Sequence, residues 1–340
     1  MKSILITGGA GFIGINAARY FHKRGWGVTI LDNLSRRGAS ENLDWLRCQQ
    51  QTRFEQADVR NFRAIELIID ELKPSTVLHL AGQVAVTTST ANPREDFEIN
   101  AFGTLNVLDA VRTKSPESFF INASTNKVYG KLDDIRVVER NGRYEFSDLP
   151  NGVGEDRPVD FHSPYGCSKG AADQYTIDYM RIYGIQSVTF RQSCIYGARQ
   201  LGIEDQGWVA WFIIAAILGK TITIYGNGKQ TRDMLHVNDL TRAYEAAFEC
   251  RDVVAGQAFN IGGGPSNTIS LLELISYLEK ERGIRVPLQW SDWRPGDQVI
   301  FVCNLEKAER LLKWQPSISV RDGVHQLIHW VSDNKQLFDR

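Results

Sequence analysis

Thr7-Gly8-Gly9-Ala10-Gly11-Phe12-Ile13-Gly14 follows the short apolar run Ser3 to Thr7 and opens a helical pattern, and this context decides the fold. Glycines at such spacing let a strand turn sharply into a helix and let the backbone approach a pyrophosphate. The first turn of that helix offers unpaired N–H groups and a partial positive charge to the anion. The stretch predicts a dinucleotide site with Gly8, Gly11, Phe12, Ile13 and Gly14 against the phosphates. Outward from it, β-branched runs alternate with helical segments: Val28 to Leu31, Phe54 to Gln56, Thr76 to Leu80, Phe119 to Ile121 and Ser187 to Phe190. Repeated strand–helix units predict an α/β fold, a Rossmann doubly wound parallel sheet. Such sheets bind ligands beyond the carboxyl ends of their strands. Gly8, Asp32, Asp58, Ala81, Ser124 and Gln192 each follow a predicted strand, so they share that edge.

At 340 residues the chain has room for one large α/β unit or two unequal domains. The alternation weakens after Arg191. We expect residues 1–190 to form the dinucleotide-binding domain and 191–340 a smaller α/β substrate-binding domain, with the segment around 232–262 returning to the main sheet. Residues 130–164 read as an irregular polar insertion, too long for a simple connection and a candidate functional loop.

A formal net charge of −1 gives no global basic field, which argues against nucleic acid or an anionic membrane as partner. The five cysteines are scattered and include no pair at metal or redox spacing, as suits a reducing cytoplasm; no metal site is expected. Met1-Lys2 leads straight into the first strand without a charged-then-apolar leader, and the apolar run Trp208 to Leu218 is too short to span a bilayer. The expectation is a cytoplasmic protein.

Asp32 ends the second strand about twenty residues past the glycines, where a carboxylate accepts both ribose hydroxyls of an adenosine. It would repel a 2′-phosphate, which favours NAD over NADP. Arg36 and Arg37 are the counter-argument, since arginines there accommodate that phosphate. Asp58-Val59 is placed for the adenine, with a solvated turn aspartate as the plain alternative. Tyr165 and Lys169 stand four apart on the helix after Ser163-Pro164 and so share a face. A lysine beside a phenol favours phenolate, and moving a tyrosine from about 10 toward neutrality takes roughly 4 kcal/mol of differential interaction. With the hydroxyl of Thr125, these are the parts needed to take a proton from a sugar alcohol while a nicotinamide takes the hydride.

Thr7 to Gly14, Leu80-Ala81-Gly82, Asn100 with Gly103-Thr104, Ser124 to Gly130, Tyr165 to Lys169 and Arg232 to Val237 together resemble an extended short-chain dehydrogenase/reductase of the nucleotide-sugar epimerase and dehydratase group. The similarity runs over nearly the whole length. It implies Thr125, Tyr165 and Lys169 as catalytic residues and bound NAD as cofactor. It adds Asn33, Ser35, Leu80, Gln83, Asn100, Ser124, Gln192 and Ser193 to the cofactor contacts, with Cys194 lining the nicotinamide. Dehydratases of the group carry an Asp-Glu pair after the threonine, whereas this chain has Asn126-Lys127. Without that acid and base, elimination gives way to oxidation followed by reduction, which is epimerisation. Asp160 to Tyr175 and Asp205 to Val209 bring the resemblance nearest to 2-epimerases of CDP-sugars, implying a CDP-sugar substrate.

Carbon choice is not readable from the spacing of Thr125, Tyr165 and Lys169. A 4-epimerase of another nucleotide hexose, such as CDP-glucose or UDP-glucose, uses the same parts, and a dinucleotide-sensing protein that has lost turnover is the alternative from another class. For the substrate, Arg232 and Arg294 are candidates for the diphosphate because a planar guanidinium suits phosphate oxygens. Asp297 is a candidate for a ribose hydroxyl, and Gln206 to Val209 for framing the base; Gln83 and Asn126 complete the set. Each has a plain alternative: Arg294 and Asp297 as a loop ion pair, Trp208 as core. His79 and His162 read as structural. Helices near Asn100 to Thr113 and Tyr165 to Tyr183 are expected to pair in a homo-oligomer, a dimer or a tetramer.

Overall fold

The computed structural model describes residues 2–294 and 297–338. Seven parallel strands form the main sheet: β1 Ser3–Thr7, β2 Gly27–Asp32, β3 Arg53–Gln56, β4 Thr76–His79, β5 Phe119–Thr125, β8 Ser187–Gln192 and β12 Gln257–Ile261. Their order across the sheet is β12-β8-β5-β4-β1-β2-β3, so the strand order reverses between β1 and β4. Carboxyl ends on either side of that reversal leave a crevice for a ligand. Strands this deeply covered read as apolar runs because both faces are packed. Ile4, Ile6, Ile30, Phe119 and Phe190 fill one face against helices Phe12–His22 and Val237–Glu249, and Leu5, Leu31, Val77 and Phe120 fill the other.

The return of β12 to β8 brings residues 257–261 back to the main sheet after an excursion. A second core, built from segments on both sides of β12, packs Val209, Phe212, Ile213, Leu274, Leu278, Leu327 and Ile328 together. Its short strands are β9 Cys194–Tyr196, β10 Ile222–Tyr225, β11 Thr231–His236, β13 Thr268–Ser270, β14 Leu288–Ser291 and β15 Ile300–Phe301. β11 pairs with β9, β13 and β15 and thereby carries Arg232 toward the end of the main sheet.

The insertion at 130–164 is more ordered than its composition suggests. It holds the antiparallel hairpin β6 Val137–Arg140 and β7 Arg143–Phe146. Asn141 at φ 52° and Gly142 at φ 78° make its turn. Positive φ at both central residues suits the twist of a two-residue hairpin, and Asn-Gly is the pair that adopts it most readily.

Candidate functional site

The glycine loop is built for close approach. Gly8 adopts φ +64°, and a Cβ on it would stand 2.7 Å from the Ala81 nitrogen; one on Gly14 would stand 2.4 Å from the Gly8 carbonyl oxygen. Gly11 caps the helix without a side chain, leaving the N–H groups of Phe12, Ile13 and Gly14 with no preceding turn to bond. A cradle that any side chain would fill, facing an open helix N-terminus, fits a dinucleotide pyrophosphate.

Asp32 stands at the same edge. One carboxylate oxygen accepts the N–H of Ala10 at 3.0 Å and the other that of Leu34 at 2.8 Å. Each oxygen keeps a second lone pair, enough for two ribose hydroxyls. Burial raises its pKa, opposed by those N–H groups and by Arg36. Arg36 interacts electrostatically with both Asp32 and the Tyr165 phenol. Asn33, Ser35 and Asp58 form one cluster: the Asn33 carbonyl accepts from the Ser35 N–H and hydroxyl, and its amide donates to Asp58 at 2.9 Å. Arg60 grips Asp58 through two nitrogens at 2.9 and 2.8 Å and holds its carboxyl well below the usual range. Asp58 also accepts the Arg60 N–H at 2.9 Å, as a turn aspartate does. Val59 is buried, and its carbonyl accepts from Asn106 at 2.9 Å.

Leu80 and Ala81 are tied to the end of β1 through N–H bonds to the Thr7 carbonyl and hydroxyl. Asn100 lies in a one-turn π-bulge, Glu98–Phe102, where it accepts the Gln83 N–H at 2.9 Å and donates to the Gln83 carbonyl at 3.0 Å. Asp96, one turn earlier and fully buried, accepts from Gln83 at 2.9 Å, Asn100 at 3.1 Å and Ser168 at 2.5 Å. It interacts electrostatically with Tyr165 and Lys169. Sequence reasoning missed Asp96; its place four residues before Asn100 on one helix face was the available signal.

Thr125, Tyr165 and Lys169 meet between β5 and the helix Ser163–Tyr183. The Thr125 side chain acts on the Tyr165 phenol and opposes the rise of its pKa, while its hydroxyl donates to Asn126 at 3.4 Å and accepts the Lys127 N–H at 3.3 Å. Lys169 Nζ donates to the Ala123 carbonyl. The phenol is not drawn toward neutrality in the ligand-free chain. Burial pushes it up to about 12, with Thr125 and Arg36 opposing and Asp96 reinforcing. Lys169, aimed at Ala123, is not among the groups that act on it, and burial lowers Lys169 itself to about 8 against the pull of Asp173 and Asp96. Desolvation therefore outweighs proximity until a ligand brings further charge. Behind them, Ser124 donates to Asp173 at 2.8 Å, and Asp173 pairs with Arg191 at 3.0 Å in full burial.

Toward the second core, Arg232 binds Asp297 at 3.1 Å and the carbonyls of Thr231 and Gln298. Asn126 donates to Gln298 at 3.1 Å, and Gln298 donates to the Gly130 carbonyl at 2.6 Å. Gln298 thereby straps the end of β5 to the Arg232 loop across 172 residues, a contact with no local sequence signal. Arg294 pairs with Asp205 at 2.8 Å and lies 3.8 Å over the Tyr225 ring, while Asp297 pairs with Arg232 at 3.1 Å, so the plain alternative of an Arg294–Asp297 ion pair is not what forms. Val209 is 2% exposed in the second core, so its side chain offers nothing to a base. Gln206 pairs through its backbone with Ile203. Gln192 donates to Tyr244 and Ser193 to Asp233, which anchors both at the end of β8. Cys194 receives the Trp208 indole N–H at 3.3 Å. His79 bridges Thr7 and Thr104 at 2.8 and 3.0 Å, as a structural residue does, and His162 sits 2.9 Å from Asp160. Among the described residues no cluster of three potential ligands could hold a metal, and no helix is long and apolar enough to cross a membrane.

The geometry has close parallels. The chain is 46% identical over 334 residues, covering 97% of itself and 99% of the relative, to CDP-paratose 2-epimerase of Salmonella typhi. It superposes on UDP-glucose 4-epimerase of Thermus thermophilus in complex with NAD with a TM-score of 0.82, at 28% identity over 98% of this chain and 99% of that one. For UDP-glucuronic acid 4-epimerase of Bacillus cereus in complex with UDP-glucuronic acid and NAD, the TM-score is 0.83 at 27% identity, covering 97% and 99%. The profile of the GDP-mannose 4,6 dehydratase family matches residues 5–327. With a glycine cradle, Asp32, the Thr125–Tyr165–Lys169 group and these likenesses all on one chain, it belongs to that family of nucleotide-sugar short-chain dehydrogenases/reductases.

Proposed function

We propose that this chain is an NAD-dependent isomerase that inverts C2 of a CDP-hexose, converting CDP-paratose to CDP-tyvelose. The observation that carries the reading is the 46% identity to CDP-paratose 2-epimerase over almost the full length of both chains. The end of β5 supports it: Thr125 is present for oxidation and reduction, while Asn126 and Lys127 supply neither the acid nor the base that elimination needs.

NAD, when bound, takes the hydride from C2, returns it later, and brings a positive charge that favours phenolate. Tyr165 takes the proton of the C2 hydroxyl as the C2–H bond breaks and the 2-keto sugar forms. Thr125, whose side chain acts on the same phenol, holds the reacting oxygen in line. Tyr165 gives the proton back to that oxygen when hydride reaches the opposite face, so no net oxidation remains. Lys169, its ammonium anchored on the Ala123 carbonyl, would hold the nicotinamide ribose and supply its charge there. Asp32, with no phosphate to accommodate, supports NAD over NADP.

The same reading places the enzyme in the cytoplasm, where its five unpaired cysteines stay reduced. Exposed Phe97, Phe102, Tyr175, Ile182 and Tyr183, on the π-bulge helix and the Tyr165 helix, support a homo-oligomer joined through that face, to be checked by sedimentation. C2-deuterated CDP-paratose tests the chemistry. Inversion at C2 with the label retained is expected; inversion at C4 of CDP-glucose or UDP-glucose, a dehydrated product, or no turnover would sink it.

A further inference from the structure

Lys127 lies two residues beyond Thr125 on the 3₁₀ turn Asn126–Tyr129 that closes β5. Its Nζ stands 3.8 Å from Asp297 Oδ1, and that same oxygen accepts Arg232 Nη2 at 3.1 Å. The other acceptors of Arg232 are the neutral carbonyls of Thr231 and Gln298. Two cations therefore share one carboxylate, and the cluster carries a net +1 (one Lys, one Arg, one Asp) toward the groove. The three side chains are 21%, 11% and 30% exposed, sheltered enough for charge to count and open enough for a ligand to enter. The charged or titratable groups acting on Lys127 are Arg232, Asp297 and Cys194, and burial with Arg232 lowers its pKa to about 8. A cation so placed gains by meeting more negative charge than Asp297 provides.

We propose that Lys127 joins Arg232, already the sequence candidate for the diphosphate, in seating the substrate's pyrophosphate, with Asp297 as the counter-ion that holds both cations in position until the anion arrives. This rests on the nucleotide-sugar reading only in taking a pyrophosphate as the anion. The seat gives residue 127 a positive role. A glutamate there, as in the dehydratases resembled, would turn the cluster from +1 to −1 (Arg against Glu and Asp), so the lysine sets the charge presented at the sugar-proximal end of the groove. It also explains why Gln298 ties Asn126 to the Arg232 loop: the strap keeps the two cations, from distant parts of the chain, at one spacing.

Calorimetric titration of the full-length, NAD-saturated protein with inorganic pyrophosphate, CDP and UDP tests the seat, with NAD present to fill the dinucleotide groove. Lys127→Met is expected to weaken pyrophosphate and CDP about 10- to 100-fold, the loss typical of one charge-assisted hydrogen bond. Lys127→Arg is expected to recover most of that affinity, and Asp297→Asn to bind pyrophosphate at least as tightly as the parent. Unchanged NAD content verifies that the variants are folded. Wild-type affinity for pyrophosphate in Lys127→Met, or an equal loss in Lys127→Arg, would overturn the proposal. CDP and UDP binding equally well would count against the cytidine reading alone, because the pyrophosphate comparison does not depend on the base.

Discussion

Arg191→Met is the most informative single perturbation of the scaffold behind the catalytic group. Arg191 donates to Asp173 through Nε at 3.1 Å and Nη2 at 3.0 Å, with the arginine 5% and the aspartate 0% exposed. The sheet makes this pair, because β5 and β8 run in a register that sets Ser124 beside Arg191. Removing the guanidinium leaves Asp173 with the hydroxyls of Ser124 at 2.8 Å and Thr189 at 3.2 Å and the Gln174 amide at 3.0 Å, but no cation bonded to it, the ammonium of Lys169 acting only through space. Tyr129, the other partner of Arg191, still donates to Asn260 at 2.8 Å, so the damage centres on the carboxylate. Breaking a buried pair from one side costs about 3–5 kcal/mol. For a chain of this length, unfolding entropy near 0.7 kcal/mol per degree turns that into a Tm lower by about 4–7 °C.

Arg191→Met/Asp173→Asn should cost much less than the sum of its single variants, because a neutral amide needs no countercharge. Chemical and thermal unfolding of the four proteins provide the cycle. Singles that cost under about 1 kcal/mol, or an additive double variant, would refute the account. A second readout separates charge from packing. Asp173 favours the ammonium form of Lys169, whose pKa burial lowers to about 8, so Lys169 is charged below that pH and loses its proton above it. Asp173→Asn removes the support and should move the alkaline fall of kcat/KM to lower pH. Arg191→Met keeps the carboxylate and should not move it downward; a matching downward shift in both variants would show that only packing is at work.

Tyr165→Phe should abolish turnover while the purified protein keeps its NAD; loss of NAD along with activity would contradict the role assigned to the phenol. Asp96→Asn should also shift the alkaline limb of kcat/KM below the wild-type value near pH 8, since Asp96 likewise favours the charged form of Lys169; an unshifted profile would make Asp96 a scaffold residue only. Gly14→Ala places a Cβ 2.4 Å from the Gly8 carbonyl oxygen, so the loop must open. It should cost about 1–3 kcal/mol of stability and weaken NAD sharply in an equilibrium titration, and a variant that binds NAD normally would refute the cradle.

What was legible in the sequence was what short-range pattern controls. The glycine spacing, the strand-ending Asp32 and the four-residue step from Tyr165 to Lys169 are local, and the structure places all of them at one edge. The Asn141-Gly142 hairpin was equally local, yet the polar composition around it read as irregular. The state of Tyr165 was not legible, because the step along a helix says which face two side chains share but not that Lys169 turns to the Ala123 carbonyl while the phenol is sealed from water. Gln298 and the Arg191–Asp173 pair belong to the same class: each joins segments far apart in the chain, through a loop position or a sheet register that no periodicity records.

The end of β5 shows how such long-range contacts divide labour between neighbours. Ala123, Ser124 and Thr125 face the catalytic helix through Lys169, Asp173 and Tyr165; Asn126 and Lys127 face the other lobe through Gln298 and Asp297. Five consecutive residues thus belong to two systems, and the last two touch the hydride machinery only through the Thr125 hydroxyl, which donates to Asn126 at 3.4 Å and accepts the Lys127 N–H at 3.3 Å. Reaction class would seem open to change at those two positions alone, but their partners forbid it. Asn126→Asp/Lys127→Glu would set a carboxylate where Lys127 now stands 3.8 Å from Asp297. Like charges at that range repel by about 4 kcal/mol at an effective dielectric constant of about 20. The new glutamate would turn away or hold a proton, and Arg232 would be drawn from its place to neutralise it. The double variant should therefore lose epimerisation without gaining elimination when offered CDP-glucose. A dehydrated keto sugar in the product NMR spectrum would show that residues 126 and 127 choose the reaction by themselves, without Asp297 and Gln298.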